Sequence, residues 1–153
     1  MATSLTSAIL NITIEEKIIL NGVNRGSKVT KSISGITEVY QRILEIPTAG
    51  IAILGFGTKG ADIFSTSIKY LRITNKDLTN FITLNFYDHG TPSSANDLFA
   101  VKLEAGKSFV LGSTLFDASV SDADGFLVVD QTIAEISAQA DTGACDIEIF
   151  IGG

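Results

Sequence analysis

A chain of 153 residues is long enough to bury its own core and short enough to form one domain. Hydrophobic residues make up 45% of it and charged residues 18%, a balance that excludes intrinsic disorder. The net charge is −6, the pI is near 4.6, and no Lys/Arg cluster appears, so no nucleic-acid partner is expected.

The mean hydropathy of +0.33 is high for a soluble chain, yet no apolar run approaches the roughly 20 residues that cross a bilayer. No membrane contact is expected, and the opening MATSLTSAIL lacks the basic start and apolar centre of a secretory signal. The excess of apolar residues would be used most naturally between subunits. A single cysteine, Cys145, allows neither an internal disulfide nor a cysteine-based zinc site, and points to folding in a reducing compartment.

In chain order, residues 1–9 read as a small, polar N-terminal arm that orders only against a partner. From Leu10 to Leu20 the residues Leu10, Ile12, Ile14, Ile18 and Leu20 share one parity that only Glu16 breaks. That is a strand, and Asn21-Gly22 is its exit turn. Arg25 to Ser34, with its lysines and small polar residues, reads as a protected sheet edge. Ile36 to Ile46 carries a helical spacing at Ile36, Val39, Tyr40 and Ile43, but its β-branched content and the flanking Gly35 and Pro47 favour a strand. Ile51 to Phe56 is a short buried strand, and Gly55, Gly57 and Gly60 loosen the chain after it.

The clearest strand–turn–strand signal lies between Ser67 and Tyr87. Leu71, Ile73, Ile82, Leu84 and Phe86 form the inward set, and Asn75, Asp77 and Asn80 favour a loop between the two arms, so an antiparallel hairpin is expected. Tyr70, Arg72, Phe81, Thr83 and Tyr87 fall on the opposite parity. Aromatic residues set among threonine and asparagine suit a second packed layer or a subunit contact, so these five are the candidate partner-contact residues.

After the loop DHGTPSSAND, alternation resumes at Leu98 to Glu104 with Phe99, Val101 and Leu103 inward. Ser108 to Leu111, Phe126 to Val129, Ala134 to Ala140 and Cys145 to Ile151 follow as strands. Roughly nine or ten short strands at about 8–12-residue spacing are the pattern of an all-β sandwich or barrel, here a single domain over residues 10–153.

The candidate chemistry is thin. His89 lies in Asp88-His89-Gly90, but no nucleophile-elbow pattern accompanies it, and a turn residue is the simpler reading. Asp122-Ala123-Asp124-Gly125 is half of a calcium loop without its remaining acids, so a solvated Asp-Gly turn is the simpler reading there too. The glycines at 55, 57 and 60 lack the Lys-Ser/Thr ending of a phosphate loop. Cys145 shares the inward parity of Ile147, Ile149 and Ile151 and reads as a core residue. No catalytic residue, cofactor or metal is expected. A glycan site remains an alternative, with Tyr40, Tyr70 and Tyr87 in place of the absent tryptophan.

Three stretches, IKYLRITNKDLTNFITL, LEAGKSFVLGSTLFDAS and IAEISAQADTGACDIEIFI, together with ITIEEKIILNG, resemble small virion structural proteins of tailed bacteriophages, particularly phages of aquatic bacteria. The resemblance spans most of the chain from Leu10 to Ile151 and implies a jelly-roll-like antiparallel sandwich that assembles as an oligomer, with no catalytic residues to transfer. It implies a non-enzymatic virion role, foremost a capsid decoration or cement protein contacting the major capsid protein. A homotrimer would match the threefold positions of a capsid lattice. A tail or head-fibre component binding host glycans and a neck or tail adaptor are the alternatives.

Overall fold

Alternation of aliphatic and polar residues at period two dominates the chain, and a computed structural model describing residues 6–55, 68–88, 97–112 and 133–153 resolves it into strands alone. They are β1 (Ala8–Glu15), β2 (Ile19–Leu20), β3 (Val23–Asn24), β4 (Lys28–Ile36), β5 (Val39–Ile46), β6 (Ile51–Gly55), β7 (Tyr70–Asn75), β8 (Ile82–Asp88), β9 (Asp97–Leu103), β10 (Ser108–Gly112), β11 (Ile133–Ala140) and β12 (Cys145–Gly152). Among the described residues no helix is long and apolar enough to cross a membrane.

Eight of these strands build two four-stranded antiparallel sheets. Sheet I runs β10-β7-β12-β5 and sheet II runs β6-β11-β8-β9. The pairing is nested: β5 with β12, β6 with β11, β7 with β10 and β8 with β9. Two further ladders, β7–β12 and β8–β11, close the wrap. A long ribbon doubled at β8–β9 and rolled so that its successive pairs alternate between two sheets is the jelly roll. The fold is therefore an all-β, two-sheet antiparallel sandwich, one of the two architectures that the strand pattern and spacing allow.

The core is filled from both inner faces. Leu71 and Ile73 of β7 and Cys145, Ile147, Ile149 and Ile151 of β12 belong to one buried cluster with Ile82, Leu84 and Phe86 of β8 and Ile136, Ala138 and Ala140 of β11. Burying each large aliphatic side chain contributes on the order of 1.5–3 kcal/mol, so this cluster is the main stabilising term. Cys145 packs among these apolar side chains as a small hydrophobe, and its burial pushes the thiol above its ordinary range, the carboxylates of Asp77, Asp141 and Asp146 adding to the effect.

Two sequence expectations are corrected here. The stretch from Ser67 to Tyr87 does not form a hairpin: its arms are β7 and β8, which lie in different sheets, and residues 76–81 carry the chain across the sandwich. Both arms bury the expected residues, but against each other face to face rather than edge to edge. The segments Leu10 to Leu20 and Arg25 to Ser34 are not strands of the sandwich either. They pair as β1–β4, with β2–β3 at the far end, into a separate ribbon that precedes β5. The eight sandwich strands thus begin at Val39, not at Leu10.

The ribbon is amphipathic across its width. Leu10 opposes Ile33, Ile12 opposes Lys31 and Ile14 opposes Val29 on one face. On the other face Asn11 accepts a hydrogen bond from Ser32 at 2.7 Å, Thr13 bonds Thr30 at 3.2 Å, and Glu15 pairs with Lys28 at 3.4 Å. Ile33 and Ile36 have opposite parity and would point to opposite sides of a regular strand. A register shift opposite residues 8–10, with Gly35 at φ +73°, inserts the extra residue that turns both inward. At the far end Asn21 and Gly22 adopt φ of 52° and 76°, the pair of positive values that a type I′ hairpin turn requires.

Candidate functional site

The five candidate contact residues are not brought together. Tyr70 and Arg72 lie on the outer face of sheet I, whereas Thr83 and Tyr87 lie on the outer face of sheet II, with Phe81 at the entry to β8. A single contact surface made from all five is excluded by the change of sheet between β7 and β8.

On sheet I the contact is intramolecular. Tyr70 is buried with Ile33 and Ile36 of the ribbon, and Leu10, Ile12, Val110 and Phe150 complete the cluster. The Tyr70 and Phe150 rings meet edge on, with centroids 5.9 Å apart. Burial raises the Tyr70 hydroxyl above its usual range, and the Arg72 charge opposes that rise. Lys69 fastens the base of the ribbon by donating from Nζ to the carbonyls of Gly35 (2.6 Å) and Ser34 (3.4 Å). Arg72 is held on the same face by Glu148 (Nη2–Oε1 2.7 Å), which also accepts from Gln41 and lies 3.9 Å from Lys76. The expected second layer therefore exists over Tyr70, and this chain supplies it.

On sheet II, Phe81, Thr83 and Tyr87 are half-buried. Lys102 sits over the Phe81 ring, 4.0 Å from its centroid, and the Tyr87 hydroxyl lies 3.4 Å from Ser137 Oγ. Phe81 and Tyr87 thus each have a partner within the same sheet.

An open hollow at one end of the sandwich is lined by Glu45, Lys76, Asp77, Leu78, Thr79, Ala144 and Asp146. Its best-placed acid is already committed: Asp77 Oδ1 accepts the N–H groups of Asn80 (2.6 Å) and Thr79 (2.7 Å). Those bonds, that of Asn80 first, hold the Asp77 carboxyl below the usual carboxylate range. A lowered folded-state pKa means that the stabilisation is present above the unfolded carboxylate pKa and is lost as pH falls through the folded value. Asp77→Ala is accordingly expected to flatten the acid limb of a denaturant-midpoint profile taken between pH 7 and pH 3. Superimposable profiles for the two proteins would show that these bonds are not made in solution.

Among the described residues no three His, Cys, Asp or Glu side chains converge on a metal-sized site. His89, Gly57, Gly60, Asp122 to Gly125 and the strand expected over 126–129 lie outside the described residues, as do residues 1–5 of the expected N-terminal arm.

The feature that sequence reading missed is the free half of the ribbon. Every residue from Thr13 to Ser32 apart from Gly26 is exposed. Six aliphatic side chains stand in that stretch at about half exposure or more: Ile14 50%, Ile18 61%, Ile19 63%, Leu20 58%, Val23 51% and Val29 49%. Scattered exposed aliphatics are ordinary; here six are gathered on one projecting ribbon. Gly26 lets the two chains of the ribbon cross closely, since a Cβ there would collide with the Glu16 carbonyl. The available signal was Asn21-Gly22 flanked by Ile19-Leu20 on one side and Val23 on the other, which marks a hairpin closed on itself. No family model, no curated protein and no solved structure matches this chain.

Proposed function

We propose that the protein is a non-enzymatic structural subunit of a tailed-phage particle, foremost a capsid decoration or cement protein that works by protein–protein contact. The observation that carries this reading is the amphipathic ribbon standing off a closed jelly roll with its aliphatic end in solvent. A rigid block with a projecting apolar arm is suited to bridging neighbours in a lattice. Binding the assembled shell more tightly than free subunits would stabilise the shell by mass action. The sequence resemblance supplies the virion context, and the ribbon supplies the means of attachment.

Particles assembled without this protein are expected to lose heat and chelator resistance, and to regain it when the purified protein is added back. The protein should be found on the shell in tens to hundreds of copies, as a lattice role demands. Unchanged resistance together with its absence from the shell would overturn the cement reading.

A further inference from the structure

The outer face of sheet I is covered on one side and bare on the other. The ribbon's apolar face lies over Tyr70, Val110 and Phe150, on β7, β10 and β12. It does not extend over β5, whose outward residues include Val39 and Ile43, 62% and 65% exposed. The register fixes that orientation: Val39 opposes Gly152, Gln41 opposes Phe150 and Ile43 opposes Glu148, so all three share the Phe150 face. Their alternates, Tyr40 and Leu44, pack into the core.

One chain thus carries an exposed aliphatic arm and an exposed aliphatic strip. The free half of the ribbon continues the stripe whose docked half, Leu10 and Ile33, already binds this sheet face. The charges agree as well. Lys17, Arg25, Lys28 and Lys31 outnumber Glu15 and Glu16 on the ribbon, although the chain as a whole is at −6. The bare apolar strip on β5 is bordered by Glu38, Glu45 and Asp146, with Asp146 opposite Glu45 on β12. A basic, aliphatic arm and an acidic, aliphatic strip are complementary in both respects.

We infer that the free half of the ribbon, with Ile14, Leu20, Val23 and Val29, docks on the β5 side of sheet I of a second copy, over its Val39 and Ile43. The contact is heterologous, since the arm and the seat are different patches, and it propagates into a closed ring or an open chain. The occupant is a second copy because the strip's aliphatic side chains and acidic border complement the basic, aliphatic arm that the same chain carries. This rests on the structural-subunit reading above and names its partner.

Sedimentation of the full-length chain over a wide concentration range tests it, using two surface variants. Leu20→Asp/Val23→Asp removes the arm's end and leaves the seat; Ile43→Asp damages the seat and leaves the arm. The wild-type chain is expected to self-associate, with affinity falling as salt rises. Each variant alone is expected to associate on the order of a hundredfold more weakly, because an interfacial aspartate is buried without a partner. Mixed one to one, the variants are expected to recover a heterodimer and nothing larger, since one intact arm then meets one intact seat. A wild-type chain that stays monomeric, an Ile43→Asp chain that associates as tightly as wild type, or a mixture with no heterodimer would each overturn the inference. A monomer that still coats phage shells sinks self-docking alone. Self-association by a protein absent from particles sinks the virion reading alone.

Discussion

Phe86→Ala is expected to destabilise the domain by about 3–5 kcal/mol, the usual cost of emptying a large aromatic site in a closed core. Phe86 is fully buried on β8, a strand with neighbours on both sides, so neither the main chain nor solvent can move in to fill the space. Its ring stacks on Phe99 of β9 with centroids 4.3 Å apart and meets Phe109 of β10 at 5.3 Å. Phe86 thus helps to tie sheet II to sheet I, since β9 and β10 belong to different sheets. Losing the ring also removes two aromatic pairs, each worth about 0.5–1.5 kcal/mol beyond burial. For a domain of this size the melting temperature should fall by roughly 10 °C. Phe86→Leu, which retains most of the volume, should cost less than half as much. Equal melting temperatures for Phe86→Ala and wild type would show that the two sheets do not close on this ring.

Phe99 shows how far alternation could be trusted. Its parity is inward, as expected, and it does stack on Phe86, yet it remains 44% exposed on the edge strand β9, while Leu103 on the same strand is buried. Period two identifies which side of a strand faces apolar neighbours. It does not say how deep in the sheet the strand sits. Residues read as inward and found fully buried, among them Ile73, Ile82, Leu84, Phe86, Ile136, Ile147, Ile149 and Ile151, lie on the inner strands β7, β8, β11 and β12.

The same limit explains the two topological corrections. Leu71 and Ile73 were legible as inward, and so were Ile82, Leu84 and Phe86, but two inward stripes separated by a short polar loop fit a hairpin and a sheet-to-sheet crossing equally well. Asn75, Asp77 and Asn80 make the turn in either case, so their presence decides nothing. In Leu10 to Leu20 the stripe was real too. The surface that covers its first half is the outer face of sheet I, at Tyr70 and Phe150, some of whose residues are more than 100 positions away in the chain. Tyr70 was read as available to a partner because nothing local indicates that residues 33 and 36 fold back over it. The site was therefore legible as a property, an apolar outward face on β7, and illegible as a location.

Asn75 carries the second large effect. It is the one polar residue among those fully buried in the described structure, and it stands where β7 ends and the chain leaves sheet I. Its Nδ2 donates to the carbonyls of Asn80 (2.9 Å) and Leu103 (3.1 Å), and its Oδ1 accepts from the Asp77 N–H (2.9 Å). The Leu103 carbonyl belongs to the end of β9 in sheet II, so this one amide links the crossing loop to both sheets. Asn75→Ala is expected to cost about 2–4 kcal/mol, since it strands the buried Leu103 carbonyl and removes the partner of the part-buried Asp77 N–H. Asn75→Asp preserves the shape and separates hydrogen bonding from packing. Its carboxylate would face two carbonyl oxygens in a site closed to water, which favours the protonated form and raises the folded-state pKa. The sign follows from that rise: the penalty is full at neutral pH and shrinks as pH falls through the raised value, because a protonated carboxyl can again donate to one carbonyl. Asn75→Asp should therefore gain stability relative to Asn75→Ala on acidification from pH 7 to pH 5, read as denaturant midpoints of the two variants. Midpoints that move in parallel would mean that the side chain at position 75 is solvated and does not join the two sheets.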